Sequence, residues 1–259
     1  MIFIPGGPML AAAYLDDLGG LSEKADLALL DLRGTGGSEA PADPESYRCD
    51  RQVDDIEALR RHLGLERIDL AGHSAGATIA VLYAARYPER IGHLLLATPS
   101  PRVSGVEVTD DDRRGVAEMR RGEPWFDKAF AAFERIWAED DTDDDWDAIT
   151  PFSWGHWDAD TERLVETQDA LRNPEAAAGY YAAGAFEVDA VRASIAKLSA
   201  PVLLIAGQYD VVLPPARAAD FAALFPNAEL KVIAGAGHQP WRDDADAFTS
   251  AVTTFLRDR

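Results

Sequence analysis

The chain has a single cysteine, Cys49, among its 259 residues, which excludes an internal disulfide and makes a reducing, cytoplasmic compartment the expectation. It has no apolar run approaching the ~20 residues of a membrane span, and no basic leader ahead of an apolar segment, so no membrane partner is expected. Positive charge is scarce. Against 45 Asp and Glu there are 25 Lys and Arg, and the formal net charge of −20 disfavours nucleic acid and anionic surfaces as partners. A G-x-x-x-x-G-K-[ST] phosphate loop is missing, as are the His and Cys spacings of a zinc site and the turn glycine of a calcium loop. Neither a metal nor a cofactor is therefore expected. Internal repeats and Gly/Ser-rich linkers are also absent. At 47% hydrophobic the chain can bury the core of one α/β domain.

The most informative stretch that is present is Gly72-His73-Ser74-Ala75-Gly76. It follows the apolar run Ile68 to Ala71, which reads as a strand, and precedes the Ala-rich run Ala77 to Arg86, which reads as a helix. A strand that turns into a helix within a few residues crowds the chain on both sides of the serine, and Gly72 and Gly76 relieve that crowding. This is the form of a nucleophile elbow, with Ser74 lifted out of the sheet. Downstream, Asp210 follows the apolar strand Pro201 to Ala206, and His238 follows the strand Leu230 to Ile233. Both lie just past the carboxyl ends of strands, where an open α/β sheet puts its ligand crevice. The order is Ser, Asp, His.

With those residues in place, the chain resembles an α/β-hydrolase of the prolyl iminopeptidase-like group. Besides the elbow, Pro5-Gly6-Gly7-Pro8-Met9 matches the group's oxyanion segment, and Asp31-Leu32-Arg33-Gly34-Thr35-Gly36-Gly37-Ser38 matches its D-x-R-G-x-G-x-S segment. Two positions depart from the pattern. Pro5 stands where the group usually has histidine, and Ala75 stands where true iminopeptidases usually have tryptophan. The resemblance implies a mostly parallel sheet with helices on both faces, a core of residues 1–101 and 190–259, and an inserted helical lid over 102–189. It also implies that the N–H groups of Gly7 and Ala75 form an oxyanion hole. The group's first two antiparallel strands are absent ahead of Ile2, through loss or through truncation of a longer chain.

Six strands are expected: Ile2 to Ile4, Leu27 to Asp31, Ile68 to Ala71, Ile91 to Ala97, Val202 to Ala206 and Leu230 to Ile233. They read as continuous apolar runs, as strands covered on both faces do. Val53, Ile56, Leu59 and Leu63 make one buried helical stripe, with Asp54, Asp55, Arg60 and Arg61 outside it. Asp31 and Arg33 read as a side-chain pair that holds the loop after the second strand, with a substrate carboxylate as the other partner open to Arg33. His62, His73 and His93 read as packing residues.

Residues 102–190 carry 23 Asp and Glu against 9 Lys and Arg, a balance of −14. Glu139 to Asp147 reads EDDTDDDWD. Such a run is either a solvated outer face or an acidic lid that draws in a cationic substrate. In the same segment, Trp154, His156 and Trp157 either wall an apolar substrate pocket, together with Gly6 and with Trp241 near His238, or anchor the segment to the core. Tyr180, Tyr181 and Phe186 leave the same choice open.

The chemistry these groups allow is acyl transfer from a small-molecule ester, lactone, thioester or amide to Ser74, with His238 as base and Asp210 as its orienter. An aminopeptidase ranks behind the esterase-type activities because the elbow lacks the tryptophan. An acyltransferase, lyase or cyclase on the same scaffold, and a binding protein that keeps the three residues without turnover, are the other classes.

Overall fold

A computed structural model of the chain describes residues 1–257. Six parallel strands form one sheet: β1 (Ile2–Ile4), β2 (Ala28–Leu29), β3 (Ile68–His73), β4 (Ile91–Ala97), β5 (Val202–Gly207) and β6 (Ala228–Ile233). Their spatial order is β2-β1-β3-β4-β5-β6. The chain runs outward from β1 to β2, then returns past β1 and builds the rest of the sheet on the other side. The direction of winding therefore reverses between β1 and β3, and the loops leaving these two neighbours diverge to leave a crevice at their carboxyl ends.

Alternation along each strand feeds two separate cores. Ile2, Ile4, Leu70, Leu94, Leu96, Val202 and Leu204 face α1 (Cys49–His62) and α2 (Gly76–Arg86), with α8 (Val188–Ile195) and α9 (Pro215–Ala222) beside them. Phe3, Ala71, Leu95, Leu203 and Ile205 face the short turn Ala12–Leu15 and α11 (Ala245–Arg257), with Phe248, Val252 and Phe255 contributed by that helix. Between β4 and α8 the chain forms α3 (Asp110–Glu118), α4 (Phe126–Trp137), α5 (Asp143–Ala148), α6 (Ala159–Asp169) and α7 (Pro174–Tyr180); α10 (Pro240–Asp243) follows β6. The first part of this helical segment has a small core of its own. Val116, Phe126, Phe133 and Phe152 close around Val211, the residue after Asp210.

Several local expectations need correction. The second strand spans two residues rather than five, with Ala28 and Leu29 in register with Ile2 and Phe3 of β1, and both are exposed at the sheet edge. At the other edge, β6 begins at Ala228, and Glu229, Lys231 and Val232 are exposed. Neither edge strand is covered on both faces. Leu63 falls just past α1 and is exposed, whereas Arg60 within it is buried in a bidentate pair with Glu57 (2.8 Å). That guanidinium, helped by the Tyr83 hydroxyl, holds the Glu57 carboxyl down at about 2. Arg33 does not pair with Asp31. It reaches Asp55 on α1 (2.6 Å), and Asp31 instead accepts from the amides of Ala12 (2.7 Å) and Gly37 (2.9 Å). Among the described residues, no helix is long and apolar enough to cross a membrane.

Candidate active site

The elbow is as tight as its glycines require. A Cβ on Gly72 would lie 2.7 Å from the Ala77 nitrogen, and one on Gly76 would overlap the carbonyl oxygens of Ile4 and Pro5. Ser74, between them, has φ +51°, a left-handed conformation rare for a residue with a side chain. Neighbouring backbone holds it there. Its N–H donates to Ala97 O (3.1 Å), and its carbonyl accepts from the N–H groups of Ala77 (3.1 Å) and Ser100 (3.0 Å). Strain of this kind persists only where the surroundings over-determine it.

Asp210 and His238 come together from the ends of β5 and β6. Asp210 is fully buried, and its Oδ2 lies 2.9 Å from His238 Nδ1. Its other oxygen accepts from the Val212 amide at 2.8 Å, so the carboxylate has a set orientation. A carboxylate on Nδ1 favours the tautomer that leaves a lone pair on Nε2, the state a general base needs. The two loops touch at backbone level, since a Cβ on Gly207 would overlap the carbonyl of Gly237. Among the described residues no hydrogen bond joins Ser74 Oγ to His238. The link runs through the preceding residue: His73 Nε2 donates to the His238 carbonyl at 2.9 Å, with the ring centroids 4.9 Å apart.

The loop after β1 packs on the elbow. A Cβ on Gly6 would lie 2.8 Å from both His73 O and Ser74 Cβ. Gly7 follows with φ +116°, a conformation that suits glycine. Among the described residues the N–H groups of Gly7 and Ala75 donate to no protein atom. Unpaired amides beside a nucleophile are what an oxyanion requires. Tyr14, one turn along, receives the Gly6 N–H at 2.7 Å and sits 2.6 Å from His73 Nδ1. Sequence reasoning passed over this tyrosine. The absence of histidine at Pro5 was the signal that the loop needed another partner. Burial raises the Tyr14 phenol well above its ordinary range. Burial, with the nearby His238, also holds His73 well below the usual imidazole range, so it stays neutral.

The helical segment reaches this end of the sheet at a few points. Asn173 N–H donates to Met9 O and Ala11 N–H to Leu171 O, each at 3.0 Å, which clamps the loop after β1. Arg172 donates to Gly7 O (3.0 Å), and the Tyr180 hydroxyl donates to Ala75 O (2.8 Å). Tyr180 and Tyr181 are packed edge to face, and the Tyr181 hydroxyl meets Thr78 on α2 (3.1 Å), so both tyrosines tie the segment to the elbow helix. Ser153 O accepts from the His238 N–H (2.7 Å), and Trp154 O accepts from Arg120, a buried cation between the rings of Trp125 and Tyr209.

Trp154 itself is buried and Trp157 is half-buried. His156 is exposed, 3.2 Å from the Asp243 carboxylate, whose burial raises its pKa although it accepts from the amides of Gly237 and Gly155. Trp241 lies beneath the site, its ring edge-on to His73 at 4.8 Å and packed against Tyr14 and Phe248. The other two histidines lie away from this end: His62 is exposed on α1, and His93 is buried against Asp69 (2.8 Å).

Comparison with known proteins agrees with this architecture. A family model described as alpha/beta hydrolase fold matches residues 1–240. The chain is 28% identical to a proline iminopeptidase of Xylella fastidiosa, over 90% of this chain and 82% of the relative. Among solved structures, an esterase of Thermogutta terrifontis superposes with a TM-score of 0.66 at 25% identity, covering 99% of this chain and 88% of the other. Proline iminopeptidase of Mycobacterium smegmatis does so with a TM-score of 0.75 at 22% identity and the same coverage, a likeness of fold.

Proposed function

Since the chain belongs to the alpha/beta hydrolase fold family, we propose that it is a serine hydrolase that cleaves a small ester, lactone or thioester through an acyl-enzyme on Ser74. The observation that carries this reading is the Asp210–His238 pair (2.9 Å) beside a serine held at φ +51° and flanked by the unpaired amides of Gly7 and Ala75.

His238 takes the Ser74 proton on Nε2 as the hydroxyl attacks the acyl carbonyl, and Asp210 stabilises the imidazolium that forms. The Gly7 and Ala75 amides receive the developing oxyanion, each worth about 3 kcal/mol in sites of this kind. His238 returns the proton to the departing alcohol or thiol, and water, deprotonated by the same nitrogen, releases the acid. Ala75 in place of tryptophan puts esters ahead of aminoacyl amides, while the proline iminopeptidase relative keeps the amide in view. Residues 1–101 and 190–259 form the catalytic core in this reading. Residues 102–189 form a cap whose His156 and Trp157 meet the substrate's acyl or leaving group, with the buried Trp154 anchoring it.

The test is labelling by a fluorophosphonate followed by turnover on p-nitrophenyl esters, lactones, thioesters and prolyl arylamides. Wild type labels once and Ser74→Ala does not. Labelling that survives in Ser74→Ala overturns the assignment, and turnover confined to the arylamide moves the substrate class to peptides.

A further inference from the structure

The carbonyl of His238 accepts hydrogen bonds from two side chains, Thr98 Oγ1 at 2.8 Å and His73 Nε2 at 2.9 Å. A carbonyl only accepts, so His73 Nε2 must carry its proton and His73 Nδ1 must be the lone-pair nitrogen. Tyr14 O–H, 2.6 Å away, is then the donor to Nδ1, and the same oxygen accepts the Gly6 N–H at 2.7 Å. The bonds run in one direction, from the Gly6 amide through Tyr14 to His73 and on to the His238 carbonyl. One end adjoins Gly7 in the loop after β1; the other is the backbone of the imidazole paired with Asp210. Tyr14, His73 and Thr98 are all buried.

Thr98 supplies an independent observation. At the end of β4 it takes φ +40°, a strained choice for a β-branched residue, and it is fully buried. In that conformation its hydroxyl reaches the His238 carbonyl. Strain retained at such a point marks a constraint beyond packing, since an extended residue would fill a strand end at no such cost.

We propose that Tyr14, His73 and Thr98 are positioning residues, Tyr14 and His73 locking the backbone of His238 to the oxyanion loop and Thr98 locking it to the end of β4, so that base and oxyanion donors keep one fixed separation. None of them touches the reacting atoms. This inference rests on the serine-hydrolase reading, because it concerns how that reading's base and oxyanion donors are aligned. Apolar packing alone would be satisfied by Tyr14→Phe and Thr98→Val, which keep shape and remove only the hydroxyl. Alignment would not, because displacing a catalytic group by about 1 Å can cost on the order of 100-fold.

The experiment measures the second-order rate of fluorophosphonate labelling, the kcat and KM on one ester, and the melting temperature of wild type, Tyr14→Phe, Thr98→Val and Thr98→Ser. Imidazole ¹⁵N shifts read the His73 tautomer. Expected are a fall of roughly 10- to 100-fold in labelling rate and kcat for Tyr14→Phe and Thr98→Val with KM held within about twofold, recovery in Thr98→Ser, and a shifted His73 Nδ1 resonance in Tyr14→Phe, where that nitrogen loses its donor while Nε2 keeps its proton. Should Tyr14→Phe fail to fold, the Thr98 pair carries the test. Folded variants that label at the wild-type rate, or a Thr98→Val loss that Thr98→Ser does not restore, overturn the proposal while wild-type labelling leaves the hydrolase reading standing. A wild type that takes no label overturns both.

Discussion

The sheet and the helical segment between β4 and α8 meet the candidate site in different ways. The sheet delivers Ser74, Asp210 and His238 at the ends of strands whose side chains alternate into two large cores, so each position is fixed by many residues at once. The first part of the segment has a small aromatic core of its own around Phe126, Phe133 and Phe152, its last part adds Ala176, Tyr180 and Ala185 to the sheet's core, and it grips the crevice loops through hydrogen bonds donated by Asn173, Arg172 and Tyr180 and one accepted by the Ser153 carbonyl. Chemistry on the rigid part and selection on the adaptable part is the division of labour this arrangement suits. Substitutions at the sheet ends should therefore act on kcat, and those in the segment on KM and folding.

Asp210→Asn should break the sheet side most severely. An amide that presents its NH₂ to His238 favours the wrong tautomer, so kcat falls on the order of 10⁴-fold while the fold survives. Steady-state kinetics with a melting curve check this. A variant that melts early with activity per folded molecule retained would make Asp210 structural.

On the segment side, Trp154→Ala removes a buried ring and should cost about 3–5 kcal/mol in denaturant unfolding. Half-buried Trp157→Ala should alter KM and acyl preference with a smaller loss of stability. Equal effects on stability and none on preference would make both tryptophans anchors and erase the contrast between the two regions.

His73 sharpens the comparison through pH. Its folded-state pKa is held below the unfolded value, so the unfolded chain binds the extra proton first, and stability drops as pH falls below about 6.5, by about 1.4 kcal/mol per unit. Unfolding free energies of wild type and His73→Asn between pH 5 and pH 8 should diverge in that window; parallel curves would show that His73 titrates normally.

The smallest effects belong to the acidic run, and there the structure separates neighbours. Asp145 is buried, bonded to Arg135 and to the amide and hydroxyl of Thr142, whereas Asp143 and Asp144 are exposed. Asp145→Asn should lower the melting temperature, and Asp143→Asn and Asp144→Asn should leave both it and kcat/KM unchanged, because exposed charges are screened over about 10 Å. A salt-sensitive fall in kcat/KM for amine substrates in the last two would instead make the run a steering surface.

What could be read from the sequence was whatever is determined locally. A strand, two glycines and a helix suffice to identify the elbow, and strand ends suffice to locate Asp210 and His238. Bonds that depend on which loops become neighbours were out of reach. Arg33 has Asp31 two residues away, yet its partner is Asp55, because Asp31 is already committed to the Ala12 and Gly37 amides. Tyr14 looks like any core aromatic until the loop after β1 folds back over it. The ends of β2 and β6 depart from the apolar runs because an edge strand is set by its one neighbour and needs little apolar sequence of its own. Asp145 was hidden in a run of like charges whose only internal clue was a threonine three residues earlier, the start of a helix cap.

The central claim is that an acyl group passes through Ser74. Acid quench of the enzyme within milliseconds of mixing with excess p-nitrophenyl ester, followed by intact-mass and peptide analysis, tests it most directly. The account predicts one added acyl mass on the peptide that contains Ser74, chased by water, and none in Ser74→Ala. An acyl adduct on another residue, or ester turnover that persists in Ser74→Ala, would contradict it.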